Sequence, residues 1–68
     1  MTLTVEYEQE DGCWLAEVLE LPGVLVYGQT ADEAVARVQA LALRVLADQS
    51  ERGERDPAPM SILFAAAA

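Results

Sequence analysis

Between Thr2 and Glu8 apolar and polar residues alternate, with Leu3, Val5 and Tyr7 on one side and Thr2, Thr4, Glu6 and Glu8 on the other. A period of two with β-branched residues predicts a strand with one wet face. Gln9-Glu10-Asp11-Gly12 follows, and Asp-Gly marks a tight turn because glycine takes positive φ without steric cost. This closes a first hairpin. Cys13 to Leu21 reads as the returning strand, with Trp14, Ala16 and Val18 on one side and Leu15 and Leu19 on the other, interrupted by Glu17. Leu21-Pro22-Gly23 stops it, since proline has no donor for a ladder and glycine permits the change of direction. Val24 to Tyr27 is a short third strand, again apolar on both faces, and Gly28 closes it.

Thr30-Ala31-Asp32-Glu33 has the form of a capping box, in which Thr30 and Glu33 each satisfy an orphan N–H at a helix start. Asp32 and Glu33 also sit where the helix dipole favours negative charge. The helix is predicted to run to about Glu51 or Arg52, with Gly53 as C-cap and Pro57 and Pro59 preventing continuation. Its apolar stripe, Ala31, Ala34, Val35, Val38, Leu41, Ala42, Val45 and Leu46, has spacings of three and four and belongs on the sheet. Glu33 with Arg37 and Asp48 with Arg52 form i,i+4 pairs on the outside, worth about 0.3–0.5 kcal/mol each. Ser50 to Pro59 is a polar connection, Met60 to Phe64 a final strand, and Ala65 to Ala68 a tail expected to fray. The expected architecture is one α+β domain of order β-β-β-α-β. An antiparallel sheet carries one helix on one face, with residues 1–64 structured.

The second and third strands are greasy on two sides, so one helix leaves an apolar face uncovered. Leu15, Leu19, Leu25 and Tyr27 are therefore expected between subunits of a homodimer or homotetramer, with Trp14, Ala16 and Val18 competing for the intramolecular core. Hairpin register decides between the two sets. Length supports association, because 68 residues bury a small share of their surface and such domains need reinforcement. Cys13 has no partner for an intrachain disulfide, and with no histidine present zinc is not expected.

Charge narrows the partners. Twelve Asp and Glu against four Arg and no Lys give a formal charge of −8. Duplex binding rests on cations that neutralise phosphates, so no direct nucleic acid binding is expected. A basic protein is the natural complement. No apolar run approaches the ~20 residues of a membrane span and the N-terminus lacks a basic stretch before an apolar one, so a cytoplasmic location away from membranes is expected.

One stretch carries a family resemblance. Trp14-Leu15-Ala16-Glu17-Val18-Leu19-Glu20-Leu21-Pro22-Gly23, then Val24 to Gly28, then Thr30-Ala31-Asp32-Glu33-Ala34, is similar to the HicB antitoxin family. The resemblance spans about Thr2 to Leu46, and its most specific part is the spacing from Leu21-Pro22-Gly23 to the Thr30–Glu33 box. It implies a reduced ribonuclease H fold without the active site, assembling as dimers or tetramers and neutralising a small, basic, RNA-cleaving HicA-type toxin by covering its surface. Many members carry a C-terminal DNA-binding segment. Only four alanines follow Phe64 here, so that segment and operon autoregulation are not expected, and an orphan homo-oligomer without a toxin is the alternative.

The carboxylates raise the question of catalysis. A two-metal nuclease needs several of them converging from different elements. Glu6 and Glu8 share a face of the first strand, and Glu17 lies on the second. Their spacing is equally that of a solvated strand face, and no His or Lys is present to act as acid or base. Neither an enzyme nor a cofactor is expected. Trp14, Tyr7 and Tyr27 lack the basic neighbours of an RNA-stacking platform and read as core or interface residues.

Overall fold

The computed structural model describes residues 1–54 and 61–67. Its elements follow the order β1 (Thr2–Glu10), β2 (Cys13–Val18), β3 (Leu25–Gly28), α1 (Ala31–Glu51) and β4 (Leu63–Ala66). They form an α+β pair of layers, a four-stranded sheet of order β3-β2-β1-β4 under one helix.

The β1–β2 hairpin is tighter than the sequence suggests. Glu10 pairs with Cys13, leaving a two-residue loop whose Asp11 and Gly12 both have positive φ, 49° and 82°. That is the turn whose twist matches its flanking strands, so Gln9 and Glu10 extend β1. Pairing Val5 with Val18 and Tyr7 with Ala16 puts Leu3, Val5, Ala16 and Val18 on the helix side, where all four are buried. Of the two apolar sets on β2, Trp14, Ala16 and Val18 thus face the core. On the same side Tyr7 is nearly half exposed, its ring tilted 47° against Trp14 at 6.2 Å.

The helix fits its predicted stripe. Ala34, Val38, Ala42 and Leu46 are buried, and Val35, Leu41 and Val45 pack around them. Thr30 accepts from the Glu33 N–H at 3.1 Å. The return bond differs from the expected box, because Glu33 Oε1 accepts from the N–H of Gln29, one residue further out, at 3.3 Å. At the other end the Gly53 N–H donates to the Ser50 carbonyl and the Glu54 N–H to the Gln49 carbonyl, the paired bonds of a Schellman ending.

The sheet is mixed, a correction to the all-antiparallel expectation. β4 runs parallel to β1, pairing Leu3 with Phe64 and Val5 with Ala66. Element order requires it. Up-down-up through β1, β2 and β3, followed by a helix running back, returns the chain to the end where β1 begins. The alanines also depart from expectation: Ala65 and Ala66 belong to β4, and the Ala67 N–H donates to the Val5 carbonyl at 2.9 Å. Pro57, Pro59, Met60 and Ala68, for which the sequence raises expectations, lie outside the described residues.

Candidate interaction surface

Leu21-Pro22-Gly23 makes the corner that joins β2 to β3. The Val24 N–H donates to the Leu21 carbonyl at 3.1 Å and Gly23 has φ +85°, the geometry of a turn with proline second and glycine third. A further bond, Val18 N–H to Val24 carbonyl at 3.0 Å, starts the β2–β3 ladder at once. β2 therefore ends at Val18, three residues before the predicted boundary.

Glu20 completes that corner. The Leu19 N–H donates to the Thr4 carbonyl at 3.0 Å, so Thr4 and Leu19 form half of a ladder pair. The other half is a side chain: the Glu20 carboxylate accepts from the Thr4 N–H and from Thr4 Oγ1, both at 2.7 Å. These bonds, the backbone one first, hold the Glu20 carboxyl below its ordinary value. Leu19 is thereby fixed beside Thr4 on the side of the sheet away from the helix.

That far side is the candidate surface. Register sets Tyr27 beside Leu15 and Leu15 beside Glu8, then Leu25 beside Glu17 and Glu17 beside Glu6. Thr4 pairs with Ala65 and Thr2 with Leu63. The expected residues Leu15, Leu19, Leu25 and Tyr27 thus share one open face. Leu19, Leu25 and Tyr27 are exposed at 47%, 45% and 55%, while Leu15 is half-buried. Leu63, which the sequence alone assigns to a strand but to no face, joins them and is 62% exposed.

Glu6, Glu8 and Glu17 share this face, Glu17 beside Leu25 and Glu8 beside Leu15, with Glu6 and Glu8 exposed. With Tyr7, Leu15 and Ala67 they line an open groove of about 390 Å³. Glu6 and Glu17 stand directly across a strand pair, where like charges oppose one another. Among the described residues no group of three or more His, Cys, Asp or Glu is arranged to hold a metal ion. Cys13 is exposed beside the hairpin turn, away from this groove's lining. Thr30 and Glu33 act at the helix start, as their spacing implies, and are no part of the surface.

Three contributors escape sequence reasoning. Glu20 stands out there only as part of the motif, and its role depends on where β2 stops. Gly28 reads as a strand end, yet a Cβ there would lie 2.6 Å from the Ala34 nitrogen, so it permits the close approach of α1 to β3. Arg37 makes the expected solvated pair with Glu33 at 3.2 Å, but it also donates to the Tyr27 carbonyl at 3.2 Å. That bond occupies an outward main-chain acceptor of edge strand β3.

No protein-family model matches the chain. No curated protein and no solved structure matches it either. Among the described residues no helix is long and apolar enough to cross a membrane.

Proposed function

We propose that this chain is a non-catalytic protein-binding module whose open sheet face docks a basic polypeptide. The observation that carries this reading is the composition of that face, three carboxylates on the same side of the sheet as the exposed Leu19, Leu25, Tyr27 and Leu63. A partner seated on these apolar residues would exclude water from the carboxylates beside them, and a charge-assisted hydrogen bond gains strength there. The partner that fits has a cation set in an apolar surface. A small, basic, HicA-type toxin has that chemistry, and the HicB-like stretch from Trp14 to Ala34 supports it as the partner.

The carboxylates also bear on the orphan homo-oligomer. Two copies meeting through the same face about a two-fold axis would bring six carboxylates together, three from each. That arrangement is unfavourable unless cations intervene. A basic partner meets the same face without that cost, so the antitoxin-like reading is preferred to a face-to-face dimer.

The test is titration of a HicA-type toxin into the purified chain by calorimetry, with mass measured by light scattering. A 1:1 complex is expected. Combining Glu6→Gln, Glu8→Gln and Glu17→Gln should weaken it by about tenfold or more. Absence of any 1:1 complex with HicA-type toxins would defeat the antitoxin reading.

A further inference from the structure

The strand β1 outruns its neighbour. It spans Thr2–Glu10, but β4 pairs only with Thr2 to Val5, and beyond them the Ala67 N–H makes a last bond to the Val5 carbonyl. Among the described residues, nothing pairs with the rest of that edge. Register decides which main-chain groups face it. Glu10 and Cys13 flank a two-residue turn and exchange their bonds with one another. The alternate pairs, Gln9 with Trp14 and Tyr7 with Ala16, therefore turn their main-chain groups away from each other, so those of Gln9 and Tyr7 point outward. The Tyr7 carbonyl and both main-chain groups of Gln9 have no partner among the described residues. The opposite edge is better covered, since Arg37 occupies the Tyr27 carbonyl on β3.

We infer that this edge takes an extended, basic segment of a partner protein as a further strand, laid end to end with β4. The inference rests on the reading of the open face as a dock for a basic polypeptide, and adds where the segment lies and in what conformation. Main-chain hydrogen bonds to Tyr7 and Gln9 supply the attachment. The pleat supplies the selection. Alternate residues of an added strand fall beside the exposed Glu6 and Glu8 on the open face, and those between fall beside Tyr7, 45% exposed on the helix side. The groove that holds Glu6, Glu8 and Glu17 also includes Ala67, so it reaches the point where β4 gives way to this edge. The segment that fits alternates basic with apolar residues. A second copy of this chain has no such segment, because its cations are Arg37, Arg44, Arg52 and Arg55, all in α1 or just after it, and its strands contain none.

Hydrogen exchange followed by NMR tests this with a capped peptide alternating lysine with valine. With peptide at about ten times its Kd, the Gln9 amide should exchange about tenfold more slowly. The amides of Glu8 and Glu10 already face β2 and should change little. The same peptide methylated on every main-chain nitrogen keeps its charges but has no donors, and should leave Gln9 unprotected. Gln9→Pro deletes the outward donor without removing a bond to β2, and should weaken peptide binding by about tenfold or more. Circular dichroism checks that this variant folds, and the exchange measurement on the wild-type chain stands without it. No binding up to about 1 mM peptide, unchanged Gln9 exchange in the complex, or equal binding of the methylated peptide would each overturn the proposal. A HicA-type toxin that binds while Gln9 exchange stays the same would overturn this mode and leave the reading of the open face standing. Protection of Gln9 by the peptide without any toxin complex would support the edge and defeat the antitoxin reading.

Discussion

At Glu20 a carboxylate takes the place that a main-chain carbonyl holds in a regular ladder, accepting the Thr4 N–H at 2.7 Å where β2 has already turned away. The charged form makes the stronger acceptor, which is why the carboxyl is held below its ordinary value of 4.5. The sign of the pH effect follows from that direction. A carboxyl lowered in the folded state stabilises the fold fully above its unfolded value, and this contribution is lost as pH falls through the lowered one. Wild-type protein should therefore lose this contribution below about pH 4.5. Glu20→Gln should be less stable near neutral pH and converge with wild type in acid. Urea midpoints across this range check it, and a difference between the two proteins that does not change with pH would refute it. The residue is legible in Leu19-Glu20-Leu21-Pro22-Gly23, but its role is not. Periodicity carries β2 to Leu21, and only the bond from Val18 to Val24 reveals that the strand stops earlier.

Between elements, the tightest constraint is the seat of α1 on β3. An added Cβ at Gly28 would meet the Ala34 nitrogen at 2.6 Å and its Cα at 2.9 Å, both backbone atoms that no rotamer change can move aside. Gly28→Ala should cost about 1–3 kcal/mol of stability, the range for overpacking. Adding Ala34→Gly should not restore it, since the closest obstacle remains; recovery of the wild-type denaturation midpoint in the double variant would show the constraint to lie in the side chain. Helix start, stripe and turns are legible because each depends on residues close in sequence, such as Thr30 with Glu33 or Asp11 with Gly12. The direction of β4 is implied by element order but hidden by reasoning from hairpins, which join antiparallel neighbours. Ala65, Ala66 and Ala67 have no strand signal of their own, and their place is set by the free edge of β1, a long-range property. The open face is legible through Leu15, Leu19, Leu25 and Tyr27, whereas Leu63 requires the β4 register.

Across the whole molecule, one helix on one sheet leaves two sides of different character, and the acidic side agrees in sign with the net charge of −8. That agreement bears on encounter as well as on the proposed complex, because a field of one sign would steer a basic partner toward such a face. Screening separates the two effects. Raising salt from about 50 to about 500 mM shortens the Debye length to a few ångströms, which removes long-range attraction but leaves close contacts buried under a bound partner less affected. If the open face docks a HicA-type toxin as proposed, association should therefore slow steeply with salt while dissociation changes little. Neutralising Glu6, Glu8 and Glu17 takes the net charge from −8 to −5, so some steering should survive in the triple variant. That variant should show a faster dissociation rate and a flatter salt dependence of association. Stopped-flow or surface-based kinetics at several salt concentrations would resolve both rates. An association rate indifferent to salt would argue that the acidic surface has no part in finding the partner, and an unchanged dissociation rate in the triple variant would remove these carboxylates from the contact.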